Sequence, residues 1–137
     1  MDVSITPHDL FGTVEAISSK SYAHRALICA SFANGTTNIT CPYISEDIQV
    51  TVDCLKALGT TIARTKQGFR VVPAKEANRP QNIQLNCKES GTTLRFILPL
   101  LGALNISATI SAEGRLFSRP LKPLISELSS HGMSFTW

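Results

Sequence analysis

Apolar residues recur at three- and four-residue intervals in four segments of the chain, which is the spacing of an amphipathic helix. In the second segment Ile48, Val52 and Leu55 follow a capping serine, Ser45, and Gly59 ends the run. The same pattern elsewhere, with its caps and stops, predicts four helices, at residues 21–33, 46–58, 90–103 and 119–130.

Short runs rich in β-branched residues lie between these helices, bounded by turn residues, and predict strands. A hairpin is predicted at residues 60–65 and 69–72, because Lys66-Gln67-Gly68 separates two such runs. The other predicted strands are residues 3–5, 13–17, 36–41, 82–86, 106–111 and 133–137. Helices and strands alternate, which is typical of an α/β (α+β) domain.

The two halves of the chain carry the same order of elements. Arg25 and Arg95 each follow a helix start opened by serine, and Gly59 and Gly132 each end the next helix. We interpret this order as an internal duplication of a β-α-β-α-β-β unit. The predicted organisation is lead-in strands at 1–18, a first unit at 19–74, a connector at 75–80 and a second unit at 81–137, truncated at its end.

Composition and charge narrow the class of protein. Hydrophobic residues make up 43% of the 137 positions and charged residues 17%, which argues against a disordered chain. A net charge of +3 with 7% aromatic residues argues against nucleic acid as a partner and against a polybasic membrane-surface protein. The chain carries no long apolar run and no signal-peptide pattern, so we expect a cytoplasmic protein without a membrane partner.

The four cysteines, Cys29, Cys41, Cys54 and Cys87, contain no C-x-x-C pair. Three of them fall within apolar periodic segments. We therefore expect buried, reduced thiols and neither a zinc site nor a disulfide framework.

The run at residues 19–25 is the most informative for chemistry. Lys20 and Ser21 lie at a predicted helix start, where free backbone N–H groups favour an anion, and Arg25 follows one turn later. The spacing alone supports a phosphate or carboxylate pocket and a helix start with two solvated cations equally well.

Two further runs place basic residues near helix starts. Gly91 lets a ligand approach the backbone closely, and Arg95 follows it by one turn. Arg115 and Arg119 precede the fourth helix, and guanidinium groups suit bidentate recognition of carboxylates. Each run is weak evidence alone, but the duplication would let equivalent helix starts face one shared cleft.

Together the three runs resemble the 5-enolpyruvylshikimate-3-phosphate synthases (3-phosphoshikimate 1-carboxyvinyltransferases). The motifs are S-K-S-x-x-H-R at 19–25, S-G-T-x-x-R at 90–95 and G-R-x-x-x-R-P at 114–120, and the resemblance spans essentially the whole chain. The first motif is the specific one, because the related UDP-N-acetylglucosamine enolpyruvyl transferase carries an A-K-N type sequence there. That related transferase is kept as an alternative.

The resemblance implies transfer of the enolpyruvyl group of phosphoenolpyruvate to the 5-hydroxyl of shikimate 3-phosphate, with release of phosphate and without a metal or cofactor. By motif, Lys20, Ser21 and Arg25 correspond to shikimate 3-phosphate ligands. Lys20, Gly91 and Arg115 correspond to phosphoenolpyruvate ligands, and Lys20 is also the candidate catalytic residue. Both substrates are anions, so cations and helix N-termini must offset their repulsion.

Arg95 and Arg119 correspond to supporting arginines, the first beside the anion cluster and the second holding its own loop. Glu89 stands where the family often has asparagine. We expect Glu89 to point away from the anion site or to pair with Lys88, because a carboxylate would repel the substrates.

The resemblance also implies a fold of two lobes, each made of three β-α-β-α-β-β units in an inverse α/β barrel. This chain would supply about two units of one lobe, so we expect the lobe to be incomplete. We expect the 137-residue chain alone to be inactive, or nearly so, and to need the C-terminal remainder of the enzyme as a partner. A non-catalytic anion-binding module and a structural fragment without ligand stay open as alternatives.

Overall fold

The computed structural model describes residues 2–75 and 80–137. The predicted helices and the predicted hairpin are confirmed, and most boundaries move by one to three residues. The predicted connector lies mostly outside the described residues. In chain order the elements are α1 (Lys20–Ser31), β1 (Thr37–Thr40), α2 (Glu46–Ala57), β2 (Thr61–Thr65), β3 (Gly68–Val72), β4 (Ile83–Asn86), α3 (Gly91–Leu104), β5 (Ala108–Ser111) and α4 (Lys122–Ser130), with a 3-10 helix at Leu116–Ser118.

Three helices begin with the same capping arrangement. The hydroxyls of Ser19, Ser45 and Ser90 each accept a hydrogen bond, at 3.4 Å, from the backbone N–H three residues later. The N-cap bond satisfies one of the N–H groups that a helix start leaves unpaired and directs the rest outward. The cap of α2 agrees with the prediction, whereas α1 begins at Lys20 and not at Ser21, and Ser90 is the cap of α3 and not its first residue.

The fourth helix begins later than predicted. Arg119 is extended, with φ −76° and ψ 143°, because it precedes Pro120 and a residue before proline avoids the helical region. Pro123 and not Pro120 takes the first-turn position of α4, and a short 3-10 helix occupies part of the preceding loop. The predicted start at Arg119 is therefore wrong.

The strands form two sheets. The first has the order β1-β3-β2 and is antiparallel, with Thr37 opposite Val71 and Thr61 opposite Val72. The second pairs β4 with β5 in parallel, which requires the crossover that α3 provides. Helices α1, α2 and α3 pack on these sheets, and the largest fully buried apolar side chains include Leu27, Ile48, Leu55, Leu58 and Ile97.

Three predicted strands are absent from the described residues. Residues 3–5, 13–17 and 133–137 form no strand, because no neighbouring strand offers them backbone hydrogen bonds. The large apolar side chains of the first two segments are exposed, from 76% at Val3 to 91% at Val14. The alternation of residues was strand-like, but a strand also needs a partner.

Three of the four cysteines agree with the prediction of buried thiols. Cys41, Cys54 and Cys87 are buried and free, whereas Cys29 is free but exposed on α1. The prediction is wrong for Cys29, because its position lies on the face of α1 turned away from the sheets. Within residues 2–75 and 80–137, no helix has the length and apolar character of a membrane span.

Candidate functional site

The N-termini of α1, α2 and α3 lie side by side. Lys20 Nζ at the start of α1 lies 2.6 Å from Asp47 Oδ2 at the start of α2. Lys88 Nζ, just before α3, lies 2.9 Å from Glu46 Oε1, also at the start of α2. Three positive helix ends therefore converge, and each presents backbone N–H groups that favour an anion. The start of α2 was not among the helix starts that the sequence motifs singled out.

A buried chain of polar side chains joins these three helix starts. His24 Nδ1 of α1 lies 2.7 Å from Thr51 Oγ1 of α2, which lies 2.7 Å from Thr93 Oγ1 of α3. Thr93 Oγ1 lies 2.8 Å from the hydroxyl of Ser90, the N-cap of α3. All four side chains are at most 1% exposed, so the polar chain is shielded from water. We call these four residues the polar relay.

His24 is neutral in this setting. Desolvation lowers the pKa of His24 from its usual 6.5, and the charge of Lys20 lowers it further, whereas Asp47 opposes both. Its Nε2 atom is buried without a hydrogen-bond partner among the described residues. Protonation would place an unpaired N–H and a charge in the interior, which is unfavourable.

The start of α3 is lined by two arginines. Arg95 Nη1 donates to the carbonyl of Gly91 at 3.0 Å, and Arg95 Nη2 donates to the carbonyl of Pro120 at 3.1 Å. A β-carbon at Gly91 would lie 2.7 Å from Arg95 Nη1 and 3.1 Å from Arg119 Nη1. Arg95 thus contacts the loop that contains Pro120. The glycine allows both guanidinium groups to lie against the helix start.

Arg25 reaches from α1 toward α3. Its guanidinium carbon lies 5.6 Å from the centre of the Phe96 ring, within the range of a cation–π interaction. Phe96 is adjacent to Arg95 in α3, so the contact brings the Arg25 side chain from α1 to α3. Ser21 is exposed in the first turn of α1 and available to a ligand.

Glu89 is held by the loop that contains Arg115. Its Oε1 atom accepts a hydrogen bond from the backbone N–H of Arg115 at 3.3 Å, and it lies where a β-carbon of Gly114 would be. Gly114 has φ +54°, so this position favours glycine twice, by conformation and by space. The pairing of Glu89 with Lys88 is not seen, because Lys88 pairs with Glu46.

Sequence reasoning missed the acidic and hydroxyl residues that connect the cations. Asp47 was not among the candidate site residues predicted from the sequence, and it pairs with Lys20 across 27 positions. Thr51 and Thr93 were not singled out. The available signal was their position, since each is a polar residue among the apolar positions of a buried helix face.

The arrangement can bind a multiply charged anion. An incoming phosphate or carboxylate would find backbone N–H groups at three helix starts and could replace Asp47 as the partner of Lys20. In the described part of the chain, no three His, Cys, Asp or Glu side chains are grouped as metal ligands. The chemistry on offer is electrostatic binding and orientation of anions.

The fold is that of an α/β protein in which the starts of α1, α2 and α3 meet. Residues 5–136 match the family EPSP synthase (3-phosphoshikimate 1-carboxyvinyltransferase). The chain belongs to this family.

Curated relatives named 3-phosphoshikimate 1-carboxyvinyltransferase agree with this assignment. The relative from Clostridium kluyveri is 41% identical over 121 residues, 87% of this chain and 28% of the relative. The relative from Methanocorpusculum labreanum is 31% identical over 137 residues, 99% of this chain and 32% of the relative. The chain therefore spans about a third of the length of the curated relatives it matches.

A solved EPSP synthase from Acinetobacter baumannii has the same fold. The TM-score is 0.75 at 23% sequence identity, covering 90% of this chain and 28% of that one. The predicted α/β (α+β) class is confirmed, and the structural match concerns part of a longer enzyme fold.

Proposed function

We propose that this chain forms one substrate-binding face of a 3-phosphoshikimate 1-carboxyvinyltransferase. The enzyme would move the enolpyruvyl group of phosphoenolpyruvate to the 5-hydroxyl of shikimate 3-phosphate and release phosphate. The observation that carries the proposal is the meeting of three serine-capped helix starts beside Lys20, Arg95 and Arg119. Such a face offsets the repulsion between two anionic substrates before they react.

The proposed residue roles follow the motifs. Lys20, Ser21 and Arg25 lie in the first turns of α1 and are proposed to bind shikimate 3-phosphate. Gly91 lies at the start of α3, and Arg115 lies in the loop after β5. Both are proposed to bind phosphoenolpyruvate together with Lys20. Arg95 supports the site through its bonds to the carbonyls of Gly91 and Pro120, and Arg119 supports it from the other side of Gly91.

Lys20 has a further proposed role as the catalytic residue. Its amine is held by Asp47 at 2.6 Å and half of its side chain is exposed, so a substrate anion can take the place of the carboxylate. If Lys20 exchanges Asp47 for a substrate anion, its amine lies beside the reacting groups. There it can bind the substrate and transfer a proton.

The organisation into lead-in strands, two units and a connector stays part of this proposal, as does a cytoplasmic location. The C-terminal remainder of the enzyme is the proposed partner, since this chain covers 28% to 33% of the length of curated relatives. We therefore expect no release of phosphate by the 137-residue chain alone.

A binding experiment tests the proposed face directly. Shikimate 3-phosphate is titrated into the 15N-labelled chain, and the amide shifts of Ser21 and Gly91 are followed. We expect saturable shifts at both amides, weakened at least about tenfold in Lys20→Met, because a charge-assisted bond is lost. Lys66→Met, in the exposed β2–β3 turn, is the matched control and should bind as the parent does. Equal binding by the Lys20 variant would contradict the assignment.

A chimera tests the reaction. This chain replaces the matching residues of the Clostridium kluyveri relative, and phosphate release is measured with both substrates. We expect an active chimera that Lys20→Met inactivates and Lys66→Met does not. A chimera that folds and binds shikimate 3-phosphate but releases no phosphate would instead favour a non-catalytic anion-binding module.

A further inference from the structure

The hydrogens of the polar relay can be assigned from the acceptors that each one has. A buried N–H without an acceptor is more unfavourable than a buried lone pair without a donor. Because Nε2 of His24 has no partner in the described structure, the ring proton belongs on Nδ1, from which it is donated to Thr51 Oγ1. The imidazole is then the less common Nδ1–H tautomer.

The remaining hydrogens follow from this assignment. Thr51 has one hydroxyl hydrogen and two neighbouring acceptors, Thr93 Oγ1 at 2.7 Å and the carbonyl of Asp47 at 3.3 Å. The carbonyl can only accept, so Thr51 donates to Asp47, Thr93 donates to Thr51, and Ser90 Oγ donates to Thr93 Oγ1 at 2.8 Å. The Ser90 oxygen still accepts from the backbone N–H of Thr93, as a helix cap requires, and each hydroxyl hydrogen has an acceptor.

We propose that His24 is a positioning residue which, acting through Thr51 and Thr93, holds the first turns of α1, α2 and α3 together so that they bind anions as one site. The inference rests on the proposed function for its ligand. One end of the relay lies in the helix that carries Lys20, Ser21 and Arg25, and the other end caps the helix that begins at Gly91. No residue of the relay needs to touch a substrate.

The position of Thr51 explains how the relay reaches the cations. Its hydroxyl lies 3.3 Å from the backbone carbonyl of Asp47, whose side chain holds Lys20. A shift of Thr51 therefore moves the partner of Lys20, and a shift of Thr93 moves the cap next to Gly91. The four side chains are fully packed, so they have little freedom to adjust separately.

The tautomer of His24 tests the relay without any ligand. The ring nitrogens of the 15N-labelled chain are observed by NMR at neutral pH. We expect Nδ1 to carry the proton and Nε2 to be unprotonated. A ring protonated on Nε2 would reverse the direction of donation and overturn the relay as described, whether or not the chain binds any anion.

Titration with inorganic phosphate tests the coupling. Thr93→Val keeps the shape and removes the hydroxyl, whereas Thr93→Ser keeps the hydroxyl. We expect Thr93→Val to weaken phosphate binding about 3- to 10-fold, seen at the Ser21 amide of α1 as well as at Gly91 of α3, and Thr93→Ser to restore it. Ser31→Ala removes another buried hydroxyl, bonded to the carbonyl of Leu27 near the far end of α1, and should leave binding unchanged.

The outcomes separate the two proposals. An effect of Thr93→Val confined to α3, or equal to that of Thr93→Ser, would overturn the coupling and show a local packing role. A parent chain that shows no saturable phosphate binding would contradict the proposed function, and the tautomer measurement would still decide the relay itself.

Discussion

The two halves of the chain share one order of elements but differ in how completely they fold. In the first half, α2 buries six side chains, and the hairpin β2–β3 closes the unit. In the second half, α4 has no fully buried side chain, and residues 133–137 form no strand. The difference does not come from amphipathicity, because α4 carries a clear apolar stripe through Leu124, Ile125 and Leu128.

The difference lies in which partners each half can reach. A hairpin supplies its own neighbouring strand within a few residues, so β2 and β3 pair wherever the local sequence allows it. The strand-like residues at 3–5, 13–17 and 133–137 would need a partner from elsewhere. We infer that these segments complete the fold only against the remainder of the longer enzyme.

Truncation of a core leucine should separate the halves most strongly. Leu55 on α2 is fully buried, whereas Leu128 on α4 is half-buried. We expect Leu55→Ala to reduce the free energy of unfolding by about 2–5 kcal/mol, and Leu128→Ala by about 1 kcal/mol or less. Urea denaturation followed by circular dichroism measures both, and equal losses would mean that α4 is as well packed as α2.

Alanine at two glycines gives the next largest contrast. Gly68 has φ +154°, and its β-carbon would meet the backbone of Ile39 and Cys41, which cannot move without breaking the sheet. Gly102 in α3 would meet only the flexible end of Met133, at 2.5 Å from its sulfur. We expect Gly68→Ala to cost about 2–3 kcal/mol and Gly102→Ala to change stability by less than about 1 kcal/mol, since alanine favours the helix. Thermal unfolding of both variants checks the order.

A smaller effect concerns acid stability at the junction of the halves. The pKa of His24 is lowered by burial from its usual 6.5, so the unfolded chain binds this proton more readily than the folded one. The contribution of the neutral His24 ring to the free energy of unfolding is complete above pH 6.5. It is lost as the pH falls through the lower pKa that His24 has in the folded chain. We expect the parent to lose stability over this window and His24→Gln to lose less.

Urea denaturation at several pH values measures this slope, and His131→Gln, at the exposed end of α4, is the control. The two histidines differ in burial, so only the buried one should alter the slope. An unchanged slope in His24→Gln would show that other groups cause the acid sensitivity.

The smallest effect is expected at the ion pair between the halves. Glu46 raises the pKa of Lys88 through a hydrogen bond, but both side chains are exposed, and an exposed pair loses most of its attraction to solvent screening. We expect Lys88→Ala to unfold at the same urea concentration as Lys66→Ala, within experimental error. A clear loss in the Lys88 variant alone would show that this pair helps to hold α3 against α2.

Particular elements show how far the sequence could be interpreted. The starts of α1, α2 and α3 were predicted from their serine caps, because an N-cap acts within one helical turn. The start of α4 was misplaced by three residues, since Pro120 and Pro123 both fit a first turn and only the loop geometry selects between them.

The candidate site also has a part that the sequence predicted and a part that it did not. Lys20, Ser21, Arg25, Gly91 and Arg95 were found by motif, since each lies within one or two turns of a helix start. The partners that organise them were not found. Asp47 lies 27 positions from Lys20, and Thr93 lies 42 positions from Thr51.

The sequence by itself determined where most helices begin, which face of each is apolar, which residues are candidates for anion binding and to which family the pattern belongs. Those properties depend on interactions over a few residues or on motifs. Only the tertiary structure decided that three helix starts meet, that Asp47 holds Lys20 and that a buried relay joins His24 to Ser90. Such contacts depend on packing in three dimensions, where the burial of a polar group requires a partner that no local pattern specifies.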